Sequence, residues 1–207
     1  MSATTSLSEL QTDALGEIFN IGVGRAAASL SQIVNDEVLL SAPSVQLLHC
    51  DNIDRLLEDS ELTQLSTVSQ TFSGPFEAEA TLLFPEQNAL EIVRLMVGPH
   101  MSIEELSEFE QEAMCEVGNI ILNACMSSLA DLFHVSFDST LPQHRFGEAH
   151  GMPIIAECGA EYLLLLQVDM IISQQRIRGQ IIFLLSVASM NSLISCVDTY
   201  LTEQGLA

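Results

Sequence analysis

The sequence predicts a two-layer α/β domain with long helices on a sheet and an internal pseudo-twofold, and three observations predict it. A set of residues recurs at a fixed distance, two long helical stretches open on the same capping signal, and short apolar runs with polar ends supply strands. The recurrence comes first. Asp13, Glu17, Asn20 and Pro43 return as Glu112, Glu116, Asn119 and Pro142, each 99 positions further on. The same shift lays Ala14 on Ala113, Ile21 on Ile120, Ser29 on Ser128 and Leu30 on Leu129. So long a period exceeds a solenoid repeat and reads as two fused halves, approximately 6–99 and 102–203, of one domain over 1–207.

In chain order, Ser6 with Glu9 has capping-box spacing, and Leu7, Leu10, Ala14, Ile18 and Ile21 follow at helical intervals, so a helix is expected from about Leu7 to Val34. Val45–His49, Leu65–Phe72 and Phe76–Phe84 read as strands, and Glu86–Val97 reads as a helix stopped by Gly98 and Pro99. The second half opens alike. Ser102 with Glu105 starts a helix to about Phe133, with Phe109, Ala113, Val117, Ile120 and Ala124 as its buried stripe. Ile154–Glu157, Tyr162–Ile172 and Arg176–Val187 are the expected strands, and about Met190–Leu201 the last helix. The apolar runs Thr81–Phe84, Tyr162–Val168 and Ile181–Leu185 are the expected central strands.

Composition narrows the function. With 207 residues, 48% hydrophobic and 16% charged, the chain is long and apolar enough to bury a substantial core. Six Lys and Arg stand against 28 Asp and Glu, a formal charge of −22 that repels phosphate backbones and anionic headgroups, so nucleic acid is excluded as a partner. Five scattered cysteines (50, 115, 125, 158 and 196) form no CxxC pair and imply neither a disulfide framework nor a zinc site. The five histidines (49, 100, 134, 144 and 150) show no ligand spacing, so no metal site is expected. The first ten residues lack the basic start and apolar core of a signal peptide, and the densest apolar runs fall short of the roughly 20 residues of a spanning helix. A cytoplasmic protein with no membrane insertion is the expectation.

The repeated polar residues define a candidate site. At about 100° per residue, positions 13, 17, 20 and 24 share a strip beside the stripe of 10, 14, 18 and 21, which puts Asp13, Glu17 and Asn20 within one ligand's reach. Asparagine is a poor helix-interior residue, so its double appearance calls for a reason. Gly22 and Gly24 weaken the same helix by roughly 1 kcal/mol each unless something approaches that backbone closely.

At these residues the chain resembles the CheC/CheX/FliY family of chemotaxis phosphatases. That family's signature is Asp or Ser, three residues, Glu, two residues, Asn, then Pro after 22 more, and both copies here have that spacing. The resemblance covers essentially the whole chain, because the CheC branch also carries two copies. Two departures stand out: Phe19 occupies a place usually held by glycine, which the second copy keeps as Gly118, and Glu112 stands for Asp or Ser.

The resemblance implies an α+β fold, with helices over a largely antiparallel sheet, and removal of the aspartyl phosphate from a CheY-like response regulator. Glu17 with Asn20 and Glu116 with Asn119 are the implied catalytic pairs, with Asp13, Pro43, Glu112 and Pro142 as supporting motif residues. Asparagine cannot act as a general base, but its amide oxygen can accept a hydrogen bond from water and aim it at phosphorus. Family precedent has the glutamate pair with the receiver's lysine. The chain needs no cofactor of its own, since the receiver brings the magnesium ion.

A CheD-like deamidase is a further partner the resemblance allows. Two non-enzymatic alternatives stay open, an adaptor for such a deamidase and a flagellar-switch-type interaction protein. A conventional hydrolase finds no support, for there is no GxSxG, no matched cysteine and histidine, and no phosphate-binding glycine loop.

Overall fold

Ser8, two residues beyond the expected position, caps the first helix. Its hydroxyl accepts from Gln11 N at 3.2 Å while the Gln11 side chain accepts from Ser8 N at 2.8 Å, so glutamine completes the capping box as glutamate would have done from Ser6. Ser102 and Glu105 build the predicted box on the second long helix. Each long helix ends on a residue in the left-handed region, Asn35 at φ 52° and His134 at φ 54°.

The computed structural model describes residues 6–41, 43–50, 64–98, 102–148, 160–172 and 175–206. The elements are α1 (Glu9–Val34), β1 (Val38–Leu40), β2 (Ser44–His49), β3 (Gln64–Ser73), β4 (Glu77–Pro85), α2 (Glu86–Val97), α3 (Ile103–Phe133), β5 (Asp138–Ser139), β6 (Gln143–Glu148), β7 (Tyr162–Ile172), β8 (Gln175–Leu185) and α4 (Val187–Glu203). The described elements thus run helix, four strands, helix, and then the same again. The predicted strand Ile154–Glu157 lies outside the described residues. β1, β5 and β6 were not expected from the pattern; two are very short, and β6 carries His144 and Arg145 on an edge, where apolar alternation is weak.

Every strand pairing is antiparallel, in an eight-stranded sheet whose centre runs β7, β8, β4, β3. The short strands cross over between the halves. β1 and β2 pair with β7, whereas β5 and β6 pair with β3. Between them β4 and β8 join the halves, with Leu82 opposite Ile181. This matches the helix-on-antiparallel-sheet class expected.

Helices cover one sheet face, where Leu82, Leu164, Ile181 and Phe183 meet α1 and α3 in the main core. The alternate residues Leu83, Leu163, Leu165 and Ile182 form a smaller cluster on the other face. The buried face of α1 is Leu15, Ile18, Phe19, Gly22, Val23, Ala26 and Leu30; of the predicted stripe Ile18 is buried and Ala14 is partly buried against the core, while Leu10 and Ile21 lie outside it. Leu10 and Ile21 are exposed at 41% and 38%, and Phe109 on α3 at 40%. α1 has apolar residues nearly all round, and what selects the buried face is its crossing with α3. A Cβ on Gly22 would lie 2.9 Å from Cys125 Cα, so only glycine admits the α3 backbone there. Gly24 has open space instead.

α3 contains a stretch, Glu105–Phe133, long and apolar enough to cross a membrane by length and composition, which the count of unbroken apolar runs did not register. Of its most apolar window, 56% is buried inside the protein, as in a core helix.

Candidate functional site

The outward strip of α1 carries Asp13, Glu17 and Asn20, all exposed. On α3 Glu112 and Glu116 are exposed and Asn119 is half-buried. Both pairs are therefore open to a partner. Phe19 does not stand in the way: it is fully buried and stacks on Phe183, ring centroids 5.3 Å apart. Its counterpart Gly118 also faces inward, where a Cβ would collide with the Val68 side chain. The departure at this position adapts the core to β8 on one side and β3 on the other, and leaves the surface alone.

The two prolines open the strands beneath the motif helices. Pro43 is buried just before β2, and the place of a Cβ on Gly16 of α1 is 4.0 Å from Val45 Cγ2 of that strand. Pro142 precedes β6, and its carbonyl accepts from Cys115 Sγ of α3 at 3.8 Å. Lacking an N–H, proline costs nothing at a strand's first turn and sets the chain direction into it. The distant proline of the motif thus belongs to the segment on which the Glu/Asn helix rests.

The two asparagines differ in their surroundings. Asn119 Oδ1 accepts from Asn123 Nδ2 at 2.9 Å and, at the long limit of 3.5 Å, from Gln70 Nε2. Asn123 also donates to Gln70 Oε1 at 3.1 Å and to the Asn119 carbonyl at 2.8 Å, while Gln70 donates to the Thr140 carbonyl at 2.9 Å. Gln70 is 2% exposed, so this amide cluster roots Asn119 in β3 and in the turn before β6. Asn20 is exposed with no hydrogen-bond partner among the described residues.

Gln70 and Asn123 are not among the residues that the repeat singles out. Asn123 follows Asn119 by one turn and was findable as a second interior asparagine, whereas Gln70 reaches the site only through sheet pairing.

Beneath the second strip, Glu110 is buried with His144 and Ser66. His144 Nε2 lies 2.8 Å from Ser66 Oγ and 3.6 Å from Glu110 Oε1, an ion-pair contact too long to be a hydrogen bond. Chemically, each strip offers a carboxylate for a cationic group and an amide that both donates and accepts. Among the described residues no cluster of His, Cys, Asp or Glu is arranged to hold a metal ion.

Residues 10–47, on the first of the two long helices and the strand beneath it, match the model of the CheC-like family. That segment runs from Leu10 to Leu47 and contains Asp13, Glu17, Asn20 and Pro43. The chain is homologous to two proteins of Bacillus subtilis (strain 168). It is 26% identical to the CheY-P phosphatase CheC over 146 residues, 69% of each chain. It is 29% identical to the flagellar motor switch phosphatase FliY over 140 residues, 66% of this chain but 36% of FliY. Among solved structures, Thermotoga maritima FliY shares the fold with a TM-score of 0.78 at 20% identity, covering 95% of this chain and 100% of that one. The CheX chain of the CheX–CheY–BeF3–Mg2+ complex of Borrelia burgdorferi is similar at TM-score 0.53 and 20% identity, over 82% of this chain and 96% of that one.

Proposed function

We propose that this chain is a phosphatase for the aspartyl phosphate of a CheY-like response regulator, working in the cytoplasm at two sites, Glu17 with Asn20 and Glu116 with Asn119. The observation that carries the reading is the pair of surface-accessible Glu/Asn strips on equivalent helices of a chain whose relatives are named a CheY-P phosphatase and a flagellar motor switch phosphatase. An acyl phosphate is already reactive, so the helper's task is to place a water in line with the departing carboxylate. The asparagine amide oxygen accepts a hydrogen bond from that water. The water oxygen bonds to phosphorus, the bond from phosphorus to the aspartyl oxygen breaks with its electron pair returning to the carboxylate, and both protons of the water leave on the phosphate as dihydrogen phosphate.

The glutamates have a different role, an ion pair with the receiver's lysine that seats the helix over the phosphoryl group. Magnesium enters with the receiver, as the composition of the CheX–CheY complex suggests by analogy. At −22 the chain is repelled at long range by a receiver pocket built of carboxylates, so short-range pairing has to fix the docking. Asp13 and Glu112 flank each pair, and Pro43 and Pro142 support the helices from below. A CheD-like deamidase is a second proposed partner, on the strength of the family resemblance.

The test is the decay of phosphorylated receivers, with magnesium, in the presence and absence of the protein. Asn20→Ala with Asn119→Ala is expected to abolish the acceleration, about 100-fold in kcat, with binding retained. Glu17→Ala with Glu116→Ala is expected to raise KM. A fully active double asparagine variant refutes the positioning role and favours the adaptor reading.

A further inference from the structure

We infer that Gln70 and Asn123 are positioning residues of the second site, clamping the Asn119 carboxamide in a fixed orientation that the first site lacks. The inference deepens the proposed phosphatase reading and depends on it for its kinetic test only. Thr140 donates through its N to Thr71 O at 3.0 Å and accepts at its hydroxyl from Thr71 N at 3.0 Å. Ser41 repeats both bonds with Asp169, at 2.8 and 2.9 Å.

Thr71 and Asp169 are therefore equivalent, and so are their neighbours Gln70 and Val168. By the 99-residue shift, Asn123 corresponds to Gly24. Where the second site has two amides around its asparagine, the first has a valine and a glycine, neither with a side-chain polar atom.

The clamp has a specific shape. An amide oxygen has two lone pairs. On Asn119 one is taken by Asn123 at 2.9 Å, and the other meets only the 3.5 Å Gln70 contact, so it remains for water. Asn119 Nδ2 has no partner among the described residues and is left for a phosphoryl oxygen. Gln70 in turn is tied to the Thr140 carbonyl and to Asn123, so every member of the cluster is held by at least two others or by backbone. An amide fixed beforehand loses less rotamer freedom when the water must be placed, which lowers the barrier without changing receiver affinity. Gln70 and Asn123 are expected to act on kcat and not on KM.

Two measurements test the inference. In an Asn20→Ala background, where only the second pair is complete, Asn123→Ala and Gln70→Val are each expected to lower kcat about tenfold with KM for the phosphorylated receiver unchanged. In an Asn119→Ala background the same substitutions are expected to change kcat less than about twofold, because general loss of fold would depress both backgrounds alike. The reverse graft, Gly24→Asn with Val168→Gln, is expected to raise kcat severalfold in that second background; Gly24 has nothing within 4 Å of its Cβ position to obstruct it. Equal effects in the two backgrounds, or none in the first, overturn the inference.

The other measurement needs no turnover. Side-chain 15N relaxation is expected to find the Asn119 amide more ordered than that of Asn20, and Asn123→Ala to bring it down to the Asn20 level. Equal order in the unsubstituted protein overturns the clamp. An ordered Asn119 in a protein inert toward every phosphorylated receiver upholds the clamp and defeats the phosphatase reading.

Discussion

Glu110 is a buried carboxylate one turn from the surface strip, and its charge depends on its neighbours. The His144 imidazole holds its carboxyl below the usual range, against burial, which pushes it up, with the Ser66 hydroxyl adding to the lowering. A carboxyl whose folded-state value is depressed stabilises the protein above its unfolded value, near 4.5, and that contribution is lost as pH falls through the lower folded value. Glu110→Gln is therefore expected to flatten part of the acid limb. Melting temperatures of the two proteins from pH 7 down to about pH 3 should differ most near neutrality and converge in acid; two parallel curves would show that the Glu110 charge contributes nothing. The repeat could not reveal this cluster, because the matching positions beneath the first strip are Gln11 and Val45 and, across the β2–β7 pairing, Leu164, which hold no such charge. What the 99-residue shift made legible was the shared chemistry, Glu17 with Asn20 and Glu116 with Asn119. It was silent on what differs between the halves, including the Gln70 and Asn123 amides, since those contacts are made across the sheet.

At the scale of elements, the two glycines of α1 give opposite expectations. Gly22 sits where α1 crosses α3, with Cys125 Cα 2.9 Å and the Ala124 carbonyl 3.0 Å from the place of a Cβ. Both are backbone atoms and cannot swing aside, so Gly22→Ala has to separate the helices, at a cost of about 1–3 kcal/mol that exceeds the gain in helix propensity. Gly24→Ala meets nothing and should stabilise by about 0.5–1 kcal/mol. Thermal or urea unfolding of the two variants checks the contrast, and a destabilising Gly24→Ala or a neutral Gly22→Ala would contradict it.

In the sequence, Gly22 and Gly24 together mark α1 as a helix whose backbone something approaches closely, but the two positions look alike there, since the partner Cys125 lies about a hundred residues away. Element types were legible wherever local signals agreed: Glu86–Val97 is α2 to the residue, and the α3 cap is the Ser102 and Glu105 box foreseen. The buried face of α1 was not legible. A helix apolar on several sides is turned by its packing partner, and local periodicity averages over that choice.

At the scale of the molecule, the exchange of short strands decides what the halves can do apart. β1 and β2 have β7 as their sheet partner, β5 and β6 have β3, and β4 lies against β8. Cutting the chain near residue 100 would strip β1 and β2 of their sheet, expose both edges of the β3–β4 hairpin and uncover the α1 face that meets α3. A lone two-stranded hairpin is marginal in water, and exposed edges favour association over monomeric folding. Fragments 1–100 and 101–207 are thus expected to show no cooperative unfolding as separate monomers, and to recover the sheet when mixed at equal concentration. Circular dichroism with size-exclusion chromatography on each fragment and on the mixture makes the check. A monomeric fragment with its own sharp transition would mean that the pairings between halves are dispensable, and that the two Glu/Asn strips sit on independently folding units. Failure of the mixture to regain structure would place the decisive step in the covalent link, which brings β4 and β8 together before the outer strands can dock.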